Sequence, residues 1–196
     1  MATLKFIREV KDSRLLLLGI VGEGESADYT VNASLYAEIG SPSIGDAIDS
    51  ASLSAIRYAD ELYRARKKAL NILAYADNNQ RNLRAKLLRA GFVNEIALRV
   101  CEEMVSFGYI NEKNQLERLI LVEANQKLRG PSRIIPALVT KGYSSSEVKE
   151  VLCRLVDEGQ VDFEKNAKLL IKKKLPTDCE SEDRKKLLYK NGYKIC

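Results

Sequence analysis

The first thirty-three residues alternate apolar and polar positions with a period of two, broken by polar turns, and this pattern predicts a β-meander. Leu4, Phe6 and Val10 fit one face of a first strand, with Arg8 interrupting the pattern. Lys11-Asp12-Ser13 forms a polar turn into the apolar run Leu15 to Val21, Gly22-Glu23-Gly24-Glu25 forms the second turn, and Tyr29 and Val31 mark a third strand. A further short element is expected around Ile44 to Ile48, and the serines 50, 52 and 54 lead into the first long helix. From there to the end the apolar positions recur with helical spacing.

An internal repeat organises the helical part. Leu87-Leu88-Arg89-Ala90-Gly91-Phe92, Leu138-Val139-Thr140-Lys141-Gly142-Tyr143 and Leu188-Tyr189-Lys190-Asn191-Gly192-Tyr193 each end in glycine followed by an aromatic. The glycines lie 51 and 50 residues apart. Glycine just past a helix accepts the left-handed conformation, and the aromatic after it packs back onto the leucine at the third position from the helix end. A second landmark lies 17 residues beyond each of the first two glycines, at Gly108-Tyr109-Ile110-Asn111 and Gly159-Gln160-Val161-Asp162, where Asn111 and Asp162 can cap the next helix. Ser144 and Glu147 make a capping box.

Each unit thus reads as three helices. The first helices are expected at about 57–76, 112–128 and 163–174, the second at about 80–90, 131–141 and 182–191, and the third at about 95–107 and 145–158. Gly130-Pro131 has the punctuation of one helix stopping and the next starting. The predicted class is mainly α, with tandem three-helix repeats stacking into a curved elongated rod behind a small N-terminal β-meander. The segments are 1–50 for the strand region, 51–108 and 109–159 for the first two repeats, and 160–196 for a third repeat truncated after its second helix.

Composition narrows the function. With 45% hydrophobic and 30% charged residues the chain is globular, and no apolar run reaches the ~18 residues of a membrane span. The short mixed-charge start is not a signal peptide, so a cytoplasmic protein is expected. There is no histidine, which removes the commonest general base and metal ligand. No phosphate-binding loop is present, and the adjacent carboxylates Glu102-Glu103 and Asp157-Glu158 point apart on their helices, so neither enzyme activity nor a cofactor or metal is expected. Cys101 and Cys153 read as small buried hydrophobes, and Cys101, Cys153, Cys179 and Cys196 form no CxxC motif.

Charge is uneven. Residues 1–56 carry 4 basic and 8 acidic side chains, and residues 57–196 carry 28 basic and 19 acidic, a net of +9. That field points to an acidic or phosphate-bearing partner. The candidate basic surface is Arg57, Arg64, Lys67 and Lys68 on the first helix, Arg81, Arg84, Lys86 and Arg89 on the second, and Lys127, Arg129, Arg133 and Lys141 around the second-repeat turn. Lys172-Lys173-Lys174 closes the third of the first helices. Taken singly, each of these reads more readily as solvated surface charge.

The run Ala69-Leu70-Asn71-Ile72-Leu73 followed by Leu83 to Phe92 resembles the first repeat of the RecX family, as does Gly108-Tyr109-Ile110-Asn111-Glu112 its repeat junction. Gly130-Pro131-Ser132-Arg133-Ile134, with Leu138 and Lys141-Gly142-Tyr143, resembles its most specific signature. The resemblance covers about residues 55–193 and departs from the family at Asn114, Gln115 and Leu116, at Lys165, Asn166 and Ala167, and at Asn82. It implies a regulator that binds the RecA–single-stranded DNA filament, with single-stranded DNA as a weak direct partner, and usually inhibits its ATPase, strand exchange and co-protease activities. The stacked repeat with a polar exterior gives no reason to expect more than a monomer. A helical DNA-binding or transcription regulator, or a helical scaffold for another acidic protein, are the alternatives that the residues leave open.

Overall fold

The computed structural model describes residues 2–11, 14–22, 25–176 and 179–194. Strands β1 (Ala2–Glu9), β2 (Leu15–Gly22) and β3 (Glu25–Asn32) form the antiparallel meander, and a two-residue strand β4 (Ala47–Ile48) pairs with β1, giving the order β3-β2-β1-β4. The turn residues Asp12, Ser13, Glu23 and Gly24 lie outside the described residues. Period-two alternation puts Leu16, Leu18 and Ile20 on the inner face, and the antiparallel register sets Val31 opposite Leu16 and Tyr29 opposite Leu18.

Strand β1 departs from the expected face. Its register shifts between Leu4 and Phe6, so Leu4 and Ile7 join the inner core while Phe6 turns to the other side. A bulge inserts one residue and inverts the alternation beyond it. There the Phe6 ring covers Gly19, where an added Cβ would come within 2.2 Å, and the Arg8 guanidinium lies 5.0 Å from the ring centroid. Arg8 therefore follows Phe6 to the outer face and does not break the pattern.

Two helical features were not expected. Helix α1 (Ala33–Glu38) follows β3 directly, with the Asn32 carboxamide accepting the Leu35 amide at 2.7 Å. Helix α2 (Ser50–Tyr75) begins seven residues earlier than its apolar period indicates. Its N-cap is Asp49, which accepts the amides of Ala51 and Ser52 at 2.8 and 2.9 Å, so the serine-rich stretch is the helix's first turn. Leu53, Ile56 and Ala59 of α2 close the core under the sheet.

The remaining helices are α3 (Gln80–Arg89), α4 (Asn94–Ser106), α5 (Glu112–Leu121), α6 (Pro131–Thr140), α7 (Ser145–Asp157), α8 (Phe163–Lys174) and α9 (Ser181–Lys190). Helix α5 runs on into a π-helical turn, Val122–Gln126. Asn111, Ser144 and Asp162 cap α5, α7 and α8 with their side chains. Gly142 has φ +99°, and beside it the Tyr143 amide donates to the Leu138 carbonyl at 3.3 Å, which is the long-range bond of a Schellman cap. The Phe92 amide on Leu87 and the Tyr193 amide on Leu188 repeat that bond at 3.3 and 3.1 Å.

Gly130 has a different reason for being glycine. It sits at φ −82°, ψ 168° as the N-cap before Pro131, and the left-handed residue that ends the preceding helix is Leu128, at φ +53°. A Cβ on Gly130 would lie 2.3 Å from the Gly192 carbonyl oxygen.

The chain divides into two compact units, residues 1–76 with 83–104, and residues 77–82 with 105–196. In the first unit Leu62, Leu83, Leu87, Ile96 and Val100 are buried in addition to the sheet core. In the second, Leu116, Ile120, Ile134, Leu138, Val148, Leu152 and Leu155 form one core, and Leu128, Leu170 and Tyr193 another. Cys101 is buried, and burial pushes its thiol up to about 11. Cys153 is exposed, contrary to expectation: one position on from buried Leu152, it faces out of α7. Cys196 lies outside the described residues.

Candidate partner-binding surface

On α2, Lys67 and Lys68 lie three and four residues beyond Arg64, and Arg57 two turns before it, so the four side chains share a face. Arg57, Lys67 and Lys68 are exposed, and Arg57 lines a cleft of about 620 Å³ with Ala2, Tyr29, Ile48 and Leu53. Arg64 is exposed too, but its Nε lies 3.3 Å from the carboxylate of Asp60, which also accepts the Thr30 amide at 2.9 Å. Part of its charge thus serves to neutralise a nearly buried acid that ties α2 to β3.

On α3, Arg81, Lys86 and Arg89 are exposed, whereas Arg84 is half-buried and donates from Nε and NH2 to the Asn94 carboxamide oxygen at 3.1 and 2.6 Å. Ahead of α3, Asn79 is buried, and the Asn79 and Asn82 carboxamides both donate to the Lys141 carbonyl at the end of α6, at 3.0 and 2.8 Å. Fifty-one residues after Asn79, the same join recurs in backbone form: the amides of Gly130 and Ser132 donate to the carbonyls of Asn191 and Gly192 at 2.8 and 3.1 Å. Arg81 lies against Gly142 and Arg133 against Gly192, and both arginines, with Lys141, present charge at these joins. Asn82, one of the positions that depart from the family pattern, is one of the two side chains making the first join.

Lys127 and Arg129 are differently placed. Glu123, at only 2% exposure, is carried inward on the π-helical turn and takes Lys127 Nζ at 2.7 Å and Arg129 NH1 at 2.5 Å. Burial alone pushes this carboxyl up, but the two cations outweigh it and hold Glu123 below the ordinary 4.5. The i,i+4 spacing of Glu123 and Lys127 is legible in the sequence, but the burial that makes the acid demand both cations is not.

Of the positions where the sequence departs from the family pattern, Gln115 and Asn166 are buried polar side chains. Gln115 Oε1 receives the Tyr143 hydroxyl at 3.4 Å, and Asn166 Nδ2 donates to the Ala124 carbonyl at 3.1 Å and to Asn125 Oδ1 at 2.9 Å. Each makes a polar contact inside the second unit. Sequence reasoning also passed over Lys165 and Lys168 on α8, both exposed. Their signal was available in the spacing to Lys172.

Among the described residues no helix is long and apolar enough to cross a membrane, and no group of three His, Cys, Asp or Glu side chains is set to hold a metal ion.

A mainly helical chain led by a small antiparallel sheet, with glycine caps at fixed intervals and basic residues at its helix joins, matches known proteins. No family model matches the chain. It is 33% identical over 132 residues to the regulatory protein RecX of Clostridioides difficile, which covers 67% of this chain and 60% of that one. It is 28% identical over 153 residues to the regulatory protein RecX of Bacillus cytotoxicus, covering 78% of this chain and 55% of that one. A crystal structure of a regulatory protein RecX superposes with a TM-score of 0.70 at 20% identity, covering 99% of this chain and 95% of that one. RecX from Lactobacillus salivarius gives 0.58 at 21% identity, covering 70% and 91%. The chain belongs to the RecX family. It spans a little over half the length of the curated relatives it matches.

Proposed function

We propose that this protein is a non-enzymatic regulator of the RecA recombinase that binds the RecA–single-stranded DNA filament and lowers its ATPase, strand-exchange and co-protease activities. The observation that carries the proposal is the family membership, expressed in the Gly130-Pro131 join and the Lys141-Gly142-Tyr143 cap. Exposed Lys67, Lys68, Arg81, Lys86, Arg89, Arg133 and Lys141 supply positive charge suited to an acidic filament. The same proposal takes the helices as tandem three-helix repeats, with segments 51–108, 109–159 and 160–196, in a monomeric cytoplasmic protein. The recurrence of one join at Asn79–Lys141 and Gly130–Asn191 supports that arrangement.

Co-sedimentation tests the proposal. Filaments of a bacterial RecA on poly(dT) should carry the protein into the pellet, while RecA alone should leave most of it in solution. Equal recovery with and without filament would remove RecA filaments as the partner. Binding to bare duplex that depends on base sequence would favour a helical DNA-binding regulator instead.

A further inference from the structure

We infer that helix α8 is a docking strip for the phosphate backbone of single-stranded nucleic acid, made by Lys165, Lys168 and Lys172 around Leu169. Residues 163–174 hold five lysines against one acid, Glu164, a net of +4 that equals the +4 of α3 and exceeds that of the other described helices. At 3.6 residues per turn, positions 165, 168, 169 and 172 fall on one face, opposite Asn166 and Leu170, which are buried. All three lysines are exposed, and with Asp162, Glu164 and Leu169 they line a shallow concavity of about 300 Å³.

These charges are not committed elsewhere in the way that Lys127, Arg129 and Arg64 are. The ion pair within α8, Lys168 with Glu164, is 3.9 Å long between side chains 79% and 89% exposed, so water screens most of it. Asp162 turns its carboxylate to the Lys165 amide as the helix cap. Lys172 also lies in the last helical turn, where a cation suits the helix dipole. That local role accounts for Lys172 to Lys174 but leaves Lys165 and Lys168, in the first half of the helix, unexplained.

Two features select nucleic acid over an acidic protein. The strip is built from lysine alone, which protein interfaces disfavour, whereas a flexible point charge follows a phosphate chain without fixed register. Leu169, 45% exposed in the middle of the strip, offers an apolar contact to bases, which a single strand leaves unstacked and a duplex hides.

The inference rests on the proposed function only in its choice of nucleic acid, and it is tested without RecA, so the two fail separately. Fluorescence anisotropy of labelled (dT)30 with the full chain, across a salt series, gives affinity and salt slope. Each lysine–phosphate contact on a single strand contributes about 0.7 to that slope. Lys165→Gln/Lys168→Gln/Lys172→Gln should therefore flatten it by about 2 and weaken binding roughly a hundredfold at 0.1 M salt. Lys5→Gln/Lys11→Gln/Arg14→Gln, three exposed residues of the sheet region and equal in charge removed, should change both far less, with circular dichroism unchanged in each. The inference is overturned if the parent protein fails to bind (dT)30, or if the two triples behave alike. It is equally overturned if the α8 triple keeps its DNA affinity and instead loses binding to RecA free of DNA, which would make the strip a protein-docking surface.

Discussion

Arg66 on α2 holds Glu103 on α4 with two parallel bonds, Nε to Oε2 and NH2 to Oε1, each 2.6 Å long. Fifty-one residues further on, Glu117 of α5 and Arg154 of α7 form the same connection with the charges exchanged. Each pair thus links one α-helix to the next but one, with acid and base exchanged between the two pairs. Lys168 occupies the corresponding place on α8.

The bidentate pair should couple measurably. In a double-mutant cycle on Arg66→Ala and Glu103→Ala, urea denaturation should give a favourable interaction of about 0.5–1 kcal/mol, the ordinary range for a partly exposed pair with good geometry. Arg66 is 41% exposed, so a larger value is not expected. Strict additivity of the two substitutions would mean that the pair contributes nothing to joining the helices.

Gly91 and Gly130 should respond differently to the same methyl group. Gly91→Ala meets only the cost of a left-handed backbone, since nothing lies within 4 Å of its Cβ position, and should lose about 1 kcal/mol. Gly130→Ala drives a Cβ into the backbone at Gly192 and breaks the join made by the Gly130 and Ser132 amides, so it should lose about 2–3 kcal/mol. Thermal melts of the two variants check the order. Equal losses would show that the join adapts freely.

Much of this architecture is legible in the chain because its punctuation is local. Gly91, Gly142 and Gly192, each followed by an aromatic, mark the ends of α3, α6 and α9, and Asp162 marks the start of α8. What escapes notice depends on partners distant in sequence or on small insertions. The bulge beyond Leu4 has no residue signature and moves Phe6 to the opposite face. Asp49 and Asn32 are ordinary cap residues, but the helices they start open with serine or with a six-residue segment too short to show a period. At the surface, sequence counts Lys127 and Arg129 as two available cations. The structure shows them bound to Glu123, whose burial follows from a π-helical turn that no spacing reveals.

That buried acid sets a pH dependence. Glu123 and Glu103 are both held below the ordinary 4.5, Glu103 chiefly by its bonds to Arg66. A carboxylate whose folded pKa is depressed stabilises the fold fully above the unfolded value, and the stability is lost as pH falls through the folded one. Stability should therefore hold from pH 7 to about 5 and fall progressively below 4.5. Glu123→Ala removes the two charged bonds but leaves Lys127 and Arg129 exposed enough to be solvated, so it should cost about 1.5–3 kcal/mol at pH 7. The variant should also show a shallower acid limb in denaturation curves taken between pH 6 and 3. An acid limb unchanged by the substitution would locate the titrating group elsewhere.

If this chain acts on RecA, the DNA-dependent ATPase of a RecA filament registers it. Adding the protein to RecA preassembled on single-stranded DNA should lower steady-state ATP hydrolysis in a concentration-dependent way, while the protein alone hydrolyses nothing. Hydrolysis unchanged at saturating protein, with circular dichroism confirming the fold, would contradict an action on RecA.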